Sequence, residues 1–260
     1  MTRVLSLVVW FVSLMVLVSP AMAQQHETGF LDRQVTVEGT AYRYQIFVPV
    51  DYTPETRWPV ILFLHGAGER GADGVLQTEV GLGRALRRDA ARFPAIVVMP
   101  QAPRDTRWTG APGVAAIAAL DAAVDEFSTD ADRVYLTGLS LGGNGTWYLA
   151  YAHPDRFAAL APICGFVGGV AGRFPAFVPD DTRSPHEQVA ERIRGIPTWI
   201  FHGEIDSVVP VSESRAMAEA LKTLGSPVTY SELPGTNHNS WDAAYASPAL
   251  TDWLFAQRRR

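Results

Sequence analysis

Val134-Tyr135-Leu136-Thr137-Gly138-Leu139-Ser140-Leu141-Gly142-Gly143 is the stretch on which the fold of this chain turns. A short apolar run leads into Gly138, and a helical pattern follows from Asn144 to Tyr151. A strand, then G-x-S-x-G, then a helix describes a nucleophile elbow, a tight turn that lifts a serine hydroxyl above a sheet and points it at a helix N-terminus. Glycine at 138 and 142 leaves space where side chains would collide as strand and helix close on the turn, and Ser140 itself must accept a strained backbone. The short pattern alone also suits a helix capped by serine. The strand before it and the helix after it favour the elbow.

Outward from the elbow, apolar runs recur at Val60 to Leu64, Ala95 to Met99, Arg133 to Thr137, Ala158 to Pro162, Thr198 to Phe201 and Val228 to Leu233. Helical patterns lie between them, near residues 75–89, 112–127, 141–152, 186–194, 211–224 and 241–256. Such alternation predicts the α/β class, with a mostly parallel central sheet and helices on both faces. Ahead of it, Gln34 to Glu38 and Tyr42 to Val48, joined at Gly39-Thr40, predict an antiparallel hairpin. In a parallel sheet, binding residues sit on loops past the carboxyl ends of the strands. With no repeat and no low-complexity linker, residues 24–260 read as one domain. Gly165 to Arg183 is the least regular part, and its Phe166, Phe174 and Phe177 make it either an insertion near the site or a surface loop.

The chain has 260 residues, 47% hydrophobic and 19% charged, with a formal net charge of −5. Those figures exclude disorder and collagen-like repetition. Cys164 stands alone, which leaves no partner for an intrachain disulfide, a thiolate zinc cluster or an iron–sulfur site. Basic residues cluster tightly only at Arg258, Arg259 and Arg260, so no nucleic-acid partner is expected. Residues 1–23 read as an export signal: Arg3, an apolar run from Val4 to Val18, and the small-x-small site Ala21-Met22-Ala23. The run is too short for a membrane span and Pro20 interrupts it. No stable membrane insertion is expected after cleavage, and the expected location is secreted or periplasmic.

A serine hydroxyl needs a base to take its proton. Of the histidines, His26 lies near the expected new N-terminus, His153 ends a helix, and His186 starts one in the irregular region. His65 and His202 each follow a strand and precede glycine, which suits structural hydrogen bonds beneath a loop. His238 remains, in a loop between the last strand and the last helical stretch. Its orienting carboxylate belongs between elbow and histidine in the chain. The loop Gly203-Glu204-Ile205-Asp206-Ser207-Val208-Val209 supplies Asp206, with Glu204 as the local competitor; Asp180, Asp181 and Asp242 fit that order less well. For the oxyanion of an acyl-transfer intermediate, Leu141 offers one backbone N–H. The glycine-rich loop His65-Gly66-Ala67-Gly68-Glu69-Arg70-Gly71 offers a second, from Ala67 or from Gly68. No metal site or cofactor motif is found.

His65-Gly-Ala-Gly-Glu-Arg-Gly71, Met99-Pro-Gln-Ala-Pro103 with Trp108, Leu136-Thr-Gly-Leu-Ser-Leu-Gly-Gly143, Ala161-Pro-Ile-Cys164, Phe201-His-Gly-Glu-Ile-Asp206 with Val209-Pro210, and His238-Asn-Ser-Trp241 together span most of the chain. With these segments the sequence resembles the α/β-hydrolase serine esterases of the predicted-peptidase and phospholipase/carboxylesterase-like group, near the feruloyl-esterase and polyhydroxybutyrate-depolymerase branch. The resemblance implies the α/β-hydrolase fold and cofactor-free hydrolysis of small-molecule or polymer-linked esters by the triad Ser140, Asp206 and His238. It also implies substrate contacts at Gln101, Trp108 and Trp241. The group commonly has Gln-Cys-Pro where this chain has Gln101-Ala102-Pro103, and Gly165 to Arg183 is longer here; both departures bear on the substrate pocket. A serine peptidase of the same fold and a catalytically silent secreted binding protein are the competing readings.

Overall fold

A computed structural model of the chain describes residues 26–170 and 174–259; the expected export signal lies outside them. The hairpin is β1 (Gly29–Val37) and β2 (Thr40–Val48). Val37 pairs with Thr40, so the two-residue turn is Glu38-Gly39, at φ 50° and 78°. Positive φ at both positions matches the right-handed twist of the strands. The turn therefore falls one residue earlier than the expected Gly39-Thr40, and Thr40 already belongs to β2. The first arm also reaches back to Gly29, paired along its whole length with β2.

The remaining long strands are β3 (Trp58–Leu64), β4 (Ile96–Pro100), β5 (Thr129–Leu139), β6 (Ala159–Ile163), β9 (Thr198–Gly203) and β10 (Val228–Leu233). They build one sheet with β1 and β2, in the order β1-β2-β4-β3-β5-β6-β9-β10. Beyond the antiparallel contacts of β2, neighbouring strands pair parallel. A separate two-stranded ribbon, β7 (Gly169–Val170) with β8 (Phe174–Pro175), lies in the irregular segment.

The helices are α1 (Gly81–Arg88), α2 (Ala111–Glu126), α3 (Leu141–Ala152), α4 (Pro185–Arg192), α5 (Ser212–Thr223), α6 (Trp241–Ala246) and α7 (Pro248–Phe255). Side chains alternate across a strand, and those of β3 divide between two cores. Val60, Leu62 and Leu64 join Leu120 of α2, Trp147 of α3, Val189 of α4 and Met217 of α5 in one core. Ile61 and Phe63 join Leu82 of α1, Tyr245 of α6 and Leu254 of α7 in the other. The sheet is thus covered on both faces, as its unbroken apolar strands require.

Two helices differ from expectation for local reasons. The pattern near 75–89 becomes a helix only from Gly81, after a 3₁₀ turn at Leu76–Thr78. The one expected over 241–256 splits at Ser247, which is extended at ψ 119° ahead of Pro248. A residue before proline is pushed out of the helical region.

Candidate active site

β5 ends at Leu139 and α3 begins at Leu141, so Ser140 alone makes the turn, at φ 53° and ψ −114°. Its N–H donates to the Ile163 carbonyl on β6 at 2.9 Å, and its carbonyl accepts the first α3 bond, from Asn144 N–H at 3.0 Å. The N–H groups of Leu141, Gly142 and Gly143 thus precede the helical ladder. The turn holds because strand, helix and neighbouring loop nearly touch. A Cβ on Gly142 would lie 1.9 Å from the Leu64 carbonyl oxygen, and one on Gly138 2.4 Å from the Gly142 carbonyl oxygen.

The loop after β10 carries His238, whose Nε2 is 2.9 Å from Ser140 Oγ and whose Nδ1 is 2.7 Å from Asp206 Oδ2. The loop after β9 carries Asp206, with a side chain at 0% exposure against 19% for His238. Burial works to raise the Asp206 carboxyl, but hydrogen bonds from His202, His238, Val209 and Val208 outweigh it and hold it well below the usual carboxylate range. The backbone N–H groups of Val208 and Val209 supply 2.8 and 2.9 Å bonds to Oδ1. Glu204, the competing acid, instead accepts from Gly235 N–H at 2.8 Å.

After β3, the loop forms a 3₁₀ turn at Ala67–Glu69, with Ala67 exposed. Gly66 packs over Leu139, and the carbonyls of Leu64 and His65 crowd Gly142, so this loop borders the start of α3. His65 is fully buried beneath it: Nδ1 donates to the Gly66 carbonyl at 2.6 Å and Nε2 accepts from Ala102 N–H at 3.0 Å.

Two of the residues expected to contact substrate, Trp108 and Gln101, are buried. Trp108 is 1% exposed, its indole N–H donates to the His65 carbonyl at 3.1 Å, and its ring lies edge-on to His65. Gln101 is 3% exposed and its amide is consumed by Gly74 N–H at 2.7 Å, the Glu69 carbonyl at 3.0 Å and Asp73 Oδ2 at 3.1 Å. Both side chains brace the loop of Ala67 from behind. Trp241 is only partly buried and stands edge-on to the His238 ring at 5.4 Å between centroids.

Asn237 is a site neighbour that residue type alone does not flag. Its Oδ1 accepts from Ser207 N–H, Ser207 Oγ and its neighbour His238 N–H at 3.0, 3.1 and 2.7 Å, tying the Asp206 and His238 loops together. The irregular segment leaves the sheet after Cys164. Its Phe177 stands edge-on to Tyr148 and Tyr151 of α3, at 5.4 and 5.9 Å.

Among the described residues, the one group of candidate metal ligands with atoms within 4.8 Å of one another is Cys164, Asp206 and His238. Burial pushes the Cys164 thiol up to about 12, so it keeps its proton and offers no thiolate. Asp206 and His238 already bond each other.

A mostly parallel eight-stranded sheet of this order, with an elbow serine, a histidine and a carboxylate on the loops past its carboxyl edge, defines an α/β-hydrolase. Residues 36–243 match the family described as Putative esterase, and the chain belongs to that family. Its relatives include an uncharacterized secreted protein of Arthroderma benhamiae, 30% identical over 69% of this chain and 21% of the relative. Another is a poly(3-hydroxyoctanoate) depolymerase of Pseudomonas fluorescens, 28% identical over 62% of this chain and 61% of the relative. The chain thus spans about a fifth and about three fifths of these two curated proteins. The crystal structure of a thermostable esterase superposes with a TM-score of 0.74 at 34% identity, over 88% of this chain and 63% of that one. No helix among the described residues is long and apolar enough to cross a membrane.

Proposed function

We propose that the protein is an exported serine hydrolase that cleaves carboxylic esters through Ser140, His238 and Asp206. The observation that carries this reading is the unbroken series Ser140 Oγ, His238 Nε2, His238 Nδ1 and Asp206 Oδ2, with contacts of 2.9 and 2.7 Å. Ionised Asp206 accepts from Nδ1–H, which leaves Nε2 free to accept the serine proton. Ser140 attacks the ester carbonyl while His238 takes that proton. Backbone N–H groups of Leu141 and Ala67 receive the oxyanion. His238 then protonates the departing alcohol, and water, deprotonated by the same imidazole, releases the acid from the acyl-enzyme.

The substrate class is a small or polymer-linked ester. Support comes from the likeness to a polyester depolymerase and from Ile205 and Val208, which flank Asp206 and stay 58% and 54% exposed on its loop. Export rests on the signal-like run at residues 1–23.

The test pairs hydrolysis of a short p-nitrophenyl ester with fluorophosphonate labelling, in wild type and Ser140→Ala. The substitution is expected to lower kcat on the order of 10⁴-fold or more and to abolish labelling while the protein stays folded. Hydrolysis at the wild-type rate by the variant overturns the assignment.

A further inference from the structure

Asp206 meets a second histidine on its buried side. His202, in β9, is fully buried, and its Nε2 lies 3.2 Å from Asp206 Oδ2 and 3.0 Å from the Val209 carbonyl oxygen. Its Nδ1 is 2.7 Å from the hydroxyl of Ser214 on α5, itself 1% exposed. The two oxygens before Nε2 can only accept, so Nε2 carries a proton, shared between the Val209 carbonyl and Asp206 Oδ2, and the Ser214 hydroxyl satisfies Nδ1. The Asp206 carboxylate therefore stands between two Ser–His pairs, Ser140 with His238 at the surface and Ser214 with His202 in the core.

We propose that His202, held by Ser214, is a positioning residue for ester hydrolysis: it grips Asp206 Oδ2 from behind and so fixes the direction in which that oxygen meets His238. This rests on the catalytic roles given above to Asp206 and His238. During turnover the His238 ring must exchange partners between the serine and the leaving alcohol, so its bond to Oδ2 is the one under load. Oδ1 is fixed by two backbone donors, whereas among the described residues the loaded oxygen has only His202 beside it apart from His238 itself. The other groups near this carboxylate do not supply a further firm donor. Cys164 is a buried thiol, a weak donor. Glu232, opposite His202 in the β9–β10 register, is an acceptor already engaged by Arg215 and Tyr230.

Three substitutions separate positioning from filling. His202→Leu removes the donor and keeps an apolar filling, His202→Gln returns an N–H near Nε2, and Ser214→Ala removes the prop without touching Asp206. Each is assayed for kcat and KM on p-nitrophenyl acetate, for thermal midpoint, and for the downfield proton NMR signal of His238 Nδ1–H, assigned by its loss in His238→Gln. The expected result for His202→Leu is a kcat lower by about 100-fold with KM within about twofold, as for a misplaced catalytic group. His202→Gln recovers most of that loss, Ser214→Ala shows a smaller loss in the same direction, and the His238 signal moves in His202→Leu and Ser214→Ala. A folded His202→Leu protein with wild-type kcat and an unmoved signal overturns the proposal. If His202→Leu does not fold, Ser214→Ala decides by the same two readouts. If wild type shows no hydrolysis that Ser140→Ala abolishes, the esterase reading fails, and the NMR signal still decides whether His202 holds the Asp206–His238 pair.

Discussion

His238 Nδ1 stands 2.7 Å from Asp206 Oδ2, joining two loops that lie 32 residues apart in the chain. The bond selects the imidazole tautomer that leaves Nε2 facing Ser140. Asp206→Asn keeps the shape of the side chain, but the amide presents a neutral partner to Nδ1 and favours the wrong tautomer. The expected outcome is a folded protein with kcat lower on the order of 10⁴-fold, measured by ester hydrolysis beside a thermal melt.

The elbow tolerates no side chain at Gly142. A Cβ there would sit 1.9 Å from the Leu64 carbonyl oxygen, and backbone cannot swing aside as a side-chain tip can. Gly142→Ala is expected to cost about 3 kcal/mol in chemical denaturation. Gly68, with nothing within 4 Å of a built Cβ, provides the control. Gly68→Ala is expected to change stability by less than about 0.5 kcal/mol.

Gln101 bonds the loop that carries Ala67, and kinetics distinguish that bracing role from a substrate contact. Gln101→Leu strands the Gly74 N–H and frees the Glu69 carbonyl, loosening the turn that carries Ala67. The expected change is a lower kcat with KM near that of wild type. A substrate contact would show itself as a raised KM instead.

Glu213 on α5 pins the irregular segment at its start. Its Oε2 accepts from Val167 N–H, Gly168 N–H and His186 Nε2 at 2.8, 2.9 and 3.0 Å. Glu213→Ala removes three hydrogen bonds from one half-buried cluster, a loss of about 2 kcal/mol. Limited proteolysis is expected to cut faster after Gly168, while fluorophosphonate still labels Ser140.

Acid destabilises the fold through His65. Burial lowers its pKa to about 4, and a proton on Nε2 would break the bond from Ala102 N–H. The unfolded chain binds that proton near its ordinary value of 6.5, whereas the folded chain refuses it until about 4. Stability is therefore fully present above about 6.5 and falls as the pH is lowered through that window, by roughly 3 kcal/mol in all. Asp206, held low, adds its own loss further down, below the ordinary carboxylate range. Urea midpoints measured from pH 7 to pH 4.5 are expected to fall in wild type and to fall less in His65→Gln.

The sheet and the three loops of the site were legible because each loop follows a short apolar run, and strand ends locate loops to within a residue or two. The burial and hydrogen-bond partners of Trp108 and Gln101 were not. An aromatic ring or an amide carries no mark of which way it faces, and that is decided by how the loop at Gly66 and the segment at Ala102 close over each other. The position of His202, after a strand and before glycine, suits a buried hydrogen-bonding residue. Its partner stayed hidden because the turn in which Asp206 N–H bonds the Gly203 carbonyl at 3.3 Å is what folds the carboxylate back toward the ring. The break at Ser247-Pro248 was open to reading, but a continuous apolar pattern masked it.

Ser140 and His238 are 98 residues apart. A chain emerging from the ribosome displays the elbow long before His238 is made, and the imidazole reaches the serine only when β10 docks at the far edge of the sheet. Long-range closure of this kind is slow compared with local structure. The nascent polypeptide therefore carries Ser140 without its neighbour, and under the proposed mechanism recovery of hydrolysis after dilution from denaturant is expected to report the last docking event of folding, lagging behind the return of the far-ultraviolet signal.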